Sequence, residues 1–292
     1  MKFGLVLPNF GGRVKPTDLV DFALAAEQGG FDSVFVTDHI ILPKDTETPY
    51  GELFEPLVTL AFLAAKTTSV RLGTSILVLP QRNPFLVAKQ VAALDQFSKG
   101  RTILGVGAGW EAREFQYLSA DFKMRGKILD ESIQLIRALW TNDEIDFSGK
   151  FFNAKDAVFL PKPVQKLVPI WIGGTSDAAV NRAAKLGDGW HPNGITPSQL
   201  AFGIHRIRKS GRKVLITMRI TTDLMRKRDD VVLPNGEKRK ILSGTRGEIV
   251  AQLDEYKIAG LEYSCVYFYH DDTSQIITDV KKFAADIVRS YS

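Results

Sequence analysis

A single cysteine, Cys265, stands among 292 residues, inside the apolar run Tyr263 to Phe268. One thiol makes neither an internal disulfide nor a cysteine metal cluster, so disulfide-stapled scaffolds and zinc ribbons are excluded and Cys265 reads as core. Long hydrophobic runs are missing as well: nothing approaches the roughly 18 uninterrupted apolar residues of a membrane span. Met1 to Asn9 holds a short apolar run broken by Pro8, with no small-residue cleavage site, and so does not read as a signal peptide. A soluble, cytoplasmic protein is expected. No Pro-, Gly- or Ser-rich linker divides the chain, which reads as one domain over residues 1–292. With 45% hydrophobic and 24% charged residues, disorder and collagen-like structure are excluded.

Net charge is also small, +5, from 38 Lys and Arg against 33 Asp and Glu. Its distribution is uneven. From Arg206 to Lys240 there are 12 basic residues against 4 acidic ones. One basic segment on a near-neutral body argues against nucleic acid, which needs a basic domain, and fits either a local anion site or a solvated face.

What is present is alternation. Short β-branched runs (Phe3 to Leu7, Ser33 to Thr37, Arg71 to Val78, Thr102 to Val106, Pro169 to Ile172, Gly189 to Trp190, Lys213 to Ile220, Tyr263 to Phe268) alternate with stretches whose apolar residues recur every three or four positions. The latter include Asp18 to Gln28, Phe85 to Phe97, Lys127 to Trp140, Asp177 to Leu186 and Arg246 to Ile258. Eight β-then-α units predict an α/β fold, a (β/α)₈ TIM barrel, rather than an open doubly wound sheet. Three connections are too long to be plain turns: Ile40 to Glu55, Asn142 to Val168 and Thr221 to Thr245, insertions after strands 2, 4 and 7. The middle one reads as a hairpin around Ser148-Gly149-Lys150.

In such a barrel the chemistry gathers at the carboxyl ends of the strands. Those ends hold Asn9, Asp38-His39, Leu79-Pro80, Gly107 to Glu111, Gly173 to Ser176, His191-Pro192-Asn193, Thr221-Thr222 and Tyr269-His270. Three of the four histidines fall there; the fourth, His205, reads as surface. A histidine beside an aspartate can move a proton near neutral pH, and the aspartate can orient it or hold a ligand hydroxyl or amide. As a bare pair, Asp38-His39 fits a capped, packed turn equally well. Gly173-Gly174-Thr175-Ser176 leads into a helix start, offering free N–H groups and hydroxyls to a phosphate; it also fits a tight turn with an N-cap. Metal catalysis is not expected, since no His-Glu-x-x-His or His-x-His pair exists, and no Gly-x-Ser-x-Gly elbow supports a serine hydrolase.

The segments Phe3 to Pro8, Phe31 to His39, Leu72 to Ile76, Gly105 to Trp110, Pro161-Lys162-Pro163, Pro169 to Gly174 and Gly187 to Trp190, taken in order, resemble the luciferase-like monooxygenase family. The likeness is closer to its branch of F420-dependent (deazaflavin-dependent) oxidoreductases. The resemblance implies a barrel that binds coenzyme F420 or FMN. It places Asp38 and His39 near the ring, with His39 catalytic, and a cis non-proline peptide at Ser75-Ile76 under the ring's face. It implies Gly107, Ala108 and Gly109 along the ring or ribityl chain, and Gly173, Gly174, Thr175, Ser176 and Asn193 around the phosphate. A small-molecule substrate and a homodimer are implied as well. Trp110 stands where the branch's sugar-phosphate dehydrogenases place a glutamate, Leu42 or Pro43 where they place a tryptophan, and Ile195 and Thr196 where they place a lysine. That activity therefore does not carry over, and phosphate charge must be met by other residues. The expected reaction moves a hydride between F420 and an organic substrate. Alternatives are an FMN-dependent monooxygenase fed by a partner flavin reductase, and a non-catalytic flavin or deazaflavin carrier. The basic residues Arg226, Lys227, Arg228, Lys238, Arg239 and Lys240 are expected to attract the acidic tail of F420, which FMN lacks.

Overall fold

Lys2 to Val6 forms a strand (β1) that pairs in parallel with both the second strand and the last, so the two ends of the chain meet in one sheet. The computed structural model describes residues 1–12, 14–46, 49–224, 226–232, 238–268, 270 and 272–291. Around the sheet follow β2 (Ser33–Val36), β3 (Arg71–Thr74), β4 (Thr102–Gly107), β5 (Ile170–Gly173), β6 (Gly189–His191), β7 (Leu215–Leu224) and β8 (Tyr263–Phe268). Each pairs in parallel with the next, and β8 returns to β1, closing the (β/α)₈ barrel that the sequence predicts.

Most of the described helices start at a side-chain cap. The helices are α1 (Pro16–Gln28), α2 (Pro56–Ala64), α3 (Pro84–Ser98), α4 (Ala112–Tyr117), α5 (Arg125–Thr141), α6 (Asp177–Leu186), α7 (Pro197–Arg208), α8 (Arg246–Ala259) and α9 (Thr273–Asp286). Asn83 accepts from the first N–H groups of α3, and Thr196 with Gln199 and Thr245 with Glu248 form reciprocal capping boxes on α7 and α8. No described helix is long and apolar enough to cross a membrane.

Inside the barrel, side chains from alternate strand positions make a small aromatic core: Trp171 packs against Phe35 (ring centroids 5.3 Å apart) and Tyr263 (5.2 Å), and Cys265 is buried beside them as expected. Bulk low in the barrel leaves the mouth above open for a ligand.

Two strands differ from expectation. Strand three, expected to run to Val78, stops at Thr74; the Ser75–Ile76 peptide is cis, and Leu77–Val78 then pairs with β4 instead. Strand seven, expected to end at Ile220, continues to Leu224, because Ile241–Gly244 lies parallel along its extension and covers it. The stretch expected as a loop thus contains a strand and a two-stranded ribbon, Val231–Val232 with Lys238–Arg239. The hairpin in the middle insertion is present, Ile145–Ser148 against Asn153–Ala157.

Candidate active site

One cavity of ≈ 370 Å³ opens at the carboxyl ends of the strands, within the range of small-molecule sites. Asp38, His39, Ser75, Ile76, Gly107, Ala108, Gly109, Gly173, Gly174, Thr175, Ser176 and Asn193 all line it. A wider cleft at the opposite end, between α7 and α8, holds none of them.

The end of β2 is fixed by Asn9. Its amide donates to the carbonyls of Thr37 (2.8 Å) and Phe54 (2.9 Å), and its oxygen accepts the Thr37 N–H at 2.8 Å. Asn9 therefore reads as a strand anchor, and the next two residues are delivered to the mouth. Asp38 does not orient His39. Its buried carboxylate accepts from the Val78 N–H at 2.8 Å and from Arg82 Nη2 at 2.7 Å, while Arg82 also reaches Glu55 at 2.9 Å. Through this pair Asp38 holds the segment after the cis peptide in place.

The partner of His39 is Glu114, on the short helix α4. Its Oε2 lies 3.0 Å from His39 Nδ1, and its Oε1 accepts the N–H groups of Ile40 (2.7 Å) and Ile41 (3.2 Å). Burial alone would raise this carboxyl, but the bonds from His39 and the Ile40 amide more than offset it and hold Glu114 below the usual carboxylate range. An ionised carboxylate only accepts, so Nδ1 carries a proton and Nε2 is left without a described hydrogen-bond partner. Tyr50 stacks on the imidazole at 5.3 Å, and Trp110 meets it edge-on at 5.6 Å.

His191, at the end of β6, is different in kind. The Thr217 hydroxyl donates to the Trp190 carbonyl (2.9 Å), so it accepts from His191 Nδ1 at 2.7 Å, and Ser75 Oγ then donates to Nε2 at 2.9 Å. Both nitrogens are used. Burial, and after it the Arg219 charge, push His191 from its ordinary 6.5 down to about 3, so it stays neutral. Between those values the unfolded chain takes up a proton that the folded chain refuses. The stability this contributes is complete above about pH 6.5 and is lost as pH falls, by up to about 1.4 kcal/mol per pH unit. Urea unfolding at pH 7, 6 and 5 should show a shallower decline for His191→Gln than for the wild type; equal slopes would contradict this. The third strand-end histidine, His270, is paired with Asp279 of α9 at 2.5 Å and does not line the cavity; its neighbour Tyr269 lies outside the described residues.

The floor of the mouth is the Ile76 side chain. A Cβ on Gly107 or Gly173 would lie 2.6 or 2.7 Å from it, so these glycines make room for Ile76 rather than for a ligand directly. Gly174 has φ +117° and its Cβ would meet Ala179 at 2.9 Å, so a larger residue there strains the turn with or without a ligand. Ser176 caps α6, pointing the helix start and the turn's N–H groups toward the cavity.

Arg125, Arg182 and Arg239 line the cavity too. Of the six cations Arg226, Lys227, Arg228, Lys238, Arg239 and Lys240, only Arg239 lines it: Arg228 is bonded to Asp223, Lys240 pairs with Asp230 at 2.8 Å, and Arg226 and Lys227 are exposed elsewhere. Glu114, Arg82, Arg125, Arg182 and Arg219 were not legible as site residues. Glu114 lies 75 positions from His39, which leaves no local pattern to find it by. Arg219 did leave a signal, a lone cation in the inward phase of the apolar run Leu215 to Ile220.

The luciferase-like monooxygenase family model matches residues 1–231. An uncharacterised protein of Mycobacterium tuberculosis is 36% identical over 206 residues, 66% of this chain and 71% of that protein. The F420-dependent glucose-6-phosphate dehydrogenase of Amycolatopsis mediterranei is 38% identical over 182 residues, 60% of this chain and 53% of that enzyme. Among solved structures, an F420-dependent secondary alcohol dehydrogenase in complex with an F420-acetone adduct superposes with a TM-score of 0.82 over 98% of each chain, at 21% identity.

Proposed function

We propose that this chain, which belongs to the luciferase-like monooxygenase family, is an F420-dependent oxidoreductase acting on a small organic substrate. The observation that carries the reading is the His39–Glu114 pair, with one imidazole nitrogen to spare, beside a flat apolar floor and an arginine-lined phosphate turn in one cavity. The residues fit the cofactor. Ile76, Gly107, Ala108 and Gly109 would lie against a planar ring, and Gly173, Gly174, Thr175 and Ser176, with Arg125, Arg182 and Arg239, would hold a phosphate.

When bound, F420 supplies or takes up a hydride. The protein's own part is the proton. His39 gives or accepts it at Nε2, while the Glu114 carboxylate fixes the imidazole through Nδ1–H and stabilises its charged form. Tyr50 and Trp110 flank the ring and limit water around it. The sugar-phosphate activity named for the Amycolatopsis relative is not assigned, because Trp110, Ile195 and Thr196 stand where that group's glutamate and lysine are expected. Equilibrium titration with F420 and with FMN, side by side, tests the reading.

A further inference from the structure

Arg219, in the middle of β7, is 7% exposed, yet among the described residues no carboxylate oxygen lies within 4.0 Å of its guanidinium. The other well-buried arginines of the mouth are neutralised, Arg82 by Asp38 and Glu55 and Arg182 by Asp130. A buried charge without a counter-ion is costly to keep, and is retained where something else supplies the opposite charge. The depressed titration of the neighbouring His191 reflects this cation's field, after burial.

The guanidinium is also aimed. Nη1 donates to Thr37 Oγ1 at 2.9 Å and to the Ser75 carbonyl at 3.1 Å, and the Tyr267 ring lies 5.2 Å below the central carbon. These contacts pin one end of the fork. The Nε and Nη2 edge meets no described acceptor and opens on the cavity that Arg219 lines. That edge presents two parallel N–H donors in one plane, the match for a carboxylate. Asn193 stands next to it, since β7 and the residues after β6 exchange Arg219 N–H to Pro192 (2.9 Å) and Gly194 N–H to Arg219 (2.8 Å). Its side-chain amide, half-buried on the cavity wall, has no described hydrogen-bond partner.

We propose that Arg219, assisted by Asn193, is the receptor for the carboxylate of an organic-acid substrate, an assignment of substrate class that rests on the oxidoreductase reading above. Phosphate is served by the Gly173–Ser176 turn, so the two anions do not compete for one site. Asn193, placed with the phosphate by family resemblance, belongs to this second site.

The test is titration calorimetry on the full chain, with benzoate and pyruvate as probes and benzamide as the neutral control. Both carboxylates should bind without cofactor, and benzamide should not. Arg219→Gln should weaken the carboxylates by about tenfold or more while F420 affinity stays within about threefold. Arg219→Lys keeps the charge but not the fork, and should recover only part of the loss; it also serves if the glutamine variant fails to fold. Equal binding of benzoate and benzamide would overturn the proposal. So would carboxylate affinity unchanged in either variant, or a loss confined to F420, which would make the guanidinium a partner of the cofactor ring. A wild type that binds carboxylates but not F420 removes the cofactor reading and keeps this site; one that binds F420 but neither carboxylate removes this site alone.

Discussion

Replacing His39 with alanine is expected to lower turnover by roughly 10²–10⁴-fold, the range for removing a positioned proton donor or acceptor, with cofactor affinity kept within about tenfold. The asymmetry follows from the geometry. His39 is the one strand-end histidine among the described residues that both faces the cavity and has a nitrogen without a partner, whereas the cavity's binding surfaces come from Ile76, the turn at Gly173–Ser176 and the arginines. Glu114→Gln should act through the same imidazole. Losing the carboxylate withdraws the charge that favours the imidazolium, so kcat should fall roughly 10–100-fold while KM changes little. Steady-state kinetics with the reduced or oxidised cofactor separates the two parameters, and unchanged kcat in His39→Ala would make the residue structural.

Arg82→Ala is expected to cost about 3–5 kcal/mol of stability, a large share of what a domain has. The Asp38 carboxylate is sealed from solvent, and the substitution leaves it charged with only the Val78 N–H to meet it. The damage should reach the site as well, since this ion pair holds the segment that follows Ser75–Ile76. Urea unfolding gives the loss directly; a change below about 1 kcal/mol would mean that the pair contributes no more than an exposed one. Asp38→Asn combined with Arg82→Met should recover part of the loss, because no unpaired charge then remains buried.

These two contacts, His39 with Glu114 and Arg82 with Asp38, mark the boundary of what the sequence discloses. The barrel was legible because strands and helices announce themselves through short-range periodicity, as at Ser33–Val36 and in the stretch Arg246 to Ile258. The mouth residues were legible because strand ends sit at predictable places and because their motifs resemble those of a known family; the structure brings the twelve that the resemblance places at the cofactor to one cavity, while others at the strand ends, such as Asn9 and His270, lie outside it. What joins the mouth residues was not. Glu114 reaches back from α4 to β2, and Arg82 reaches back 44 positions to Asp38, contacts made only once the barrel has closed. The aspartate next to His39 can, on sequence alone, orient it, hold a ligand group or cap a turn; the closed barrel pairs it with Arg82. Strand seven's length depended on Ile241–Gly244 docking along it, and a stretch rich in Lys and Arg gave no local hint of that.

The central claim is that this cavity is an F420 site, and side-by-side equilibrium titration of the purified chain with F420 and FMN tests it most directly. F420 is expected to bind about tenfold or more tightly than FMN, with Ser176→Ala and Arg182→Gln each weakening it. Tighter binding of FMN, or no saturable binding of F420, would contradict the account.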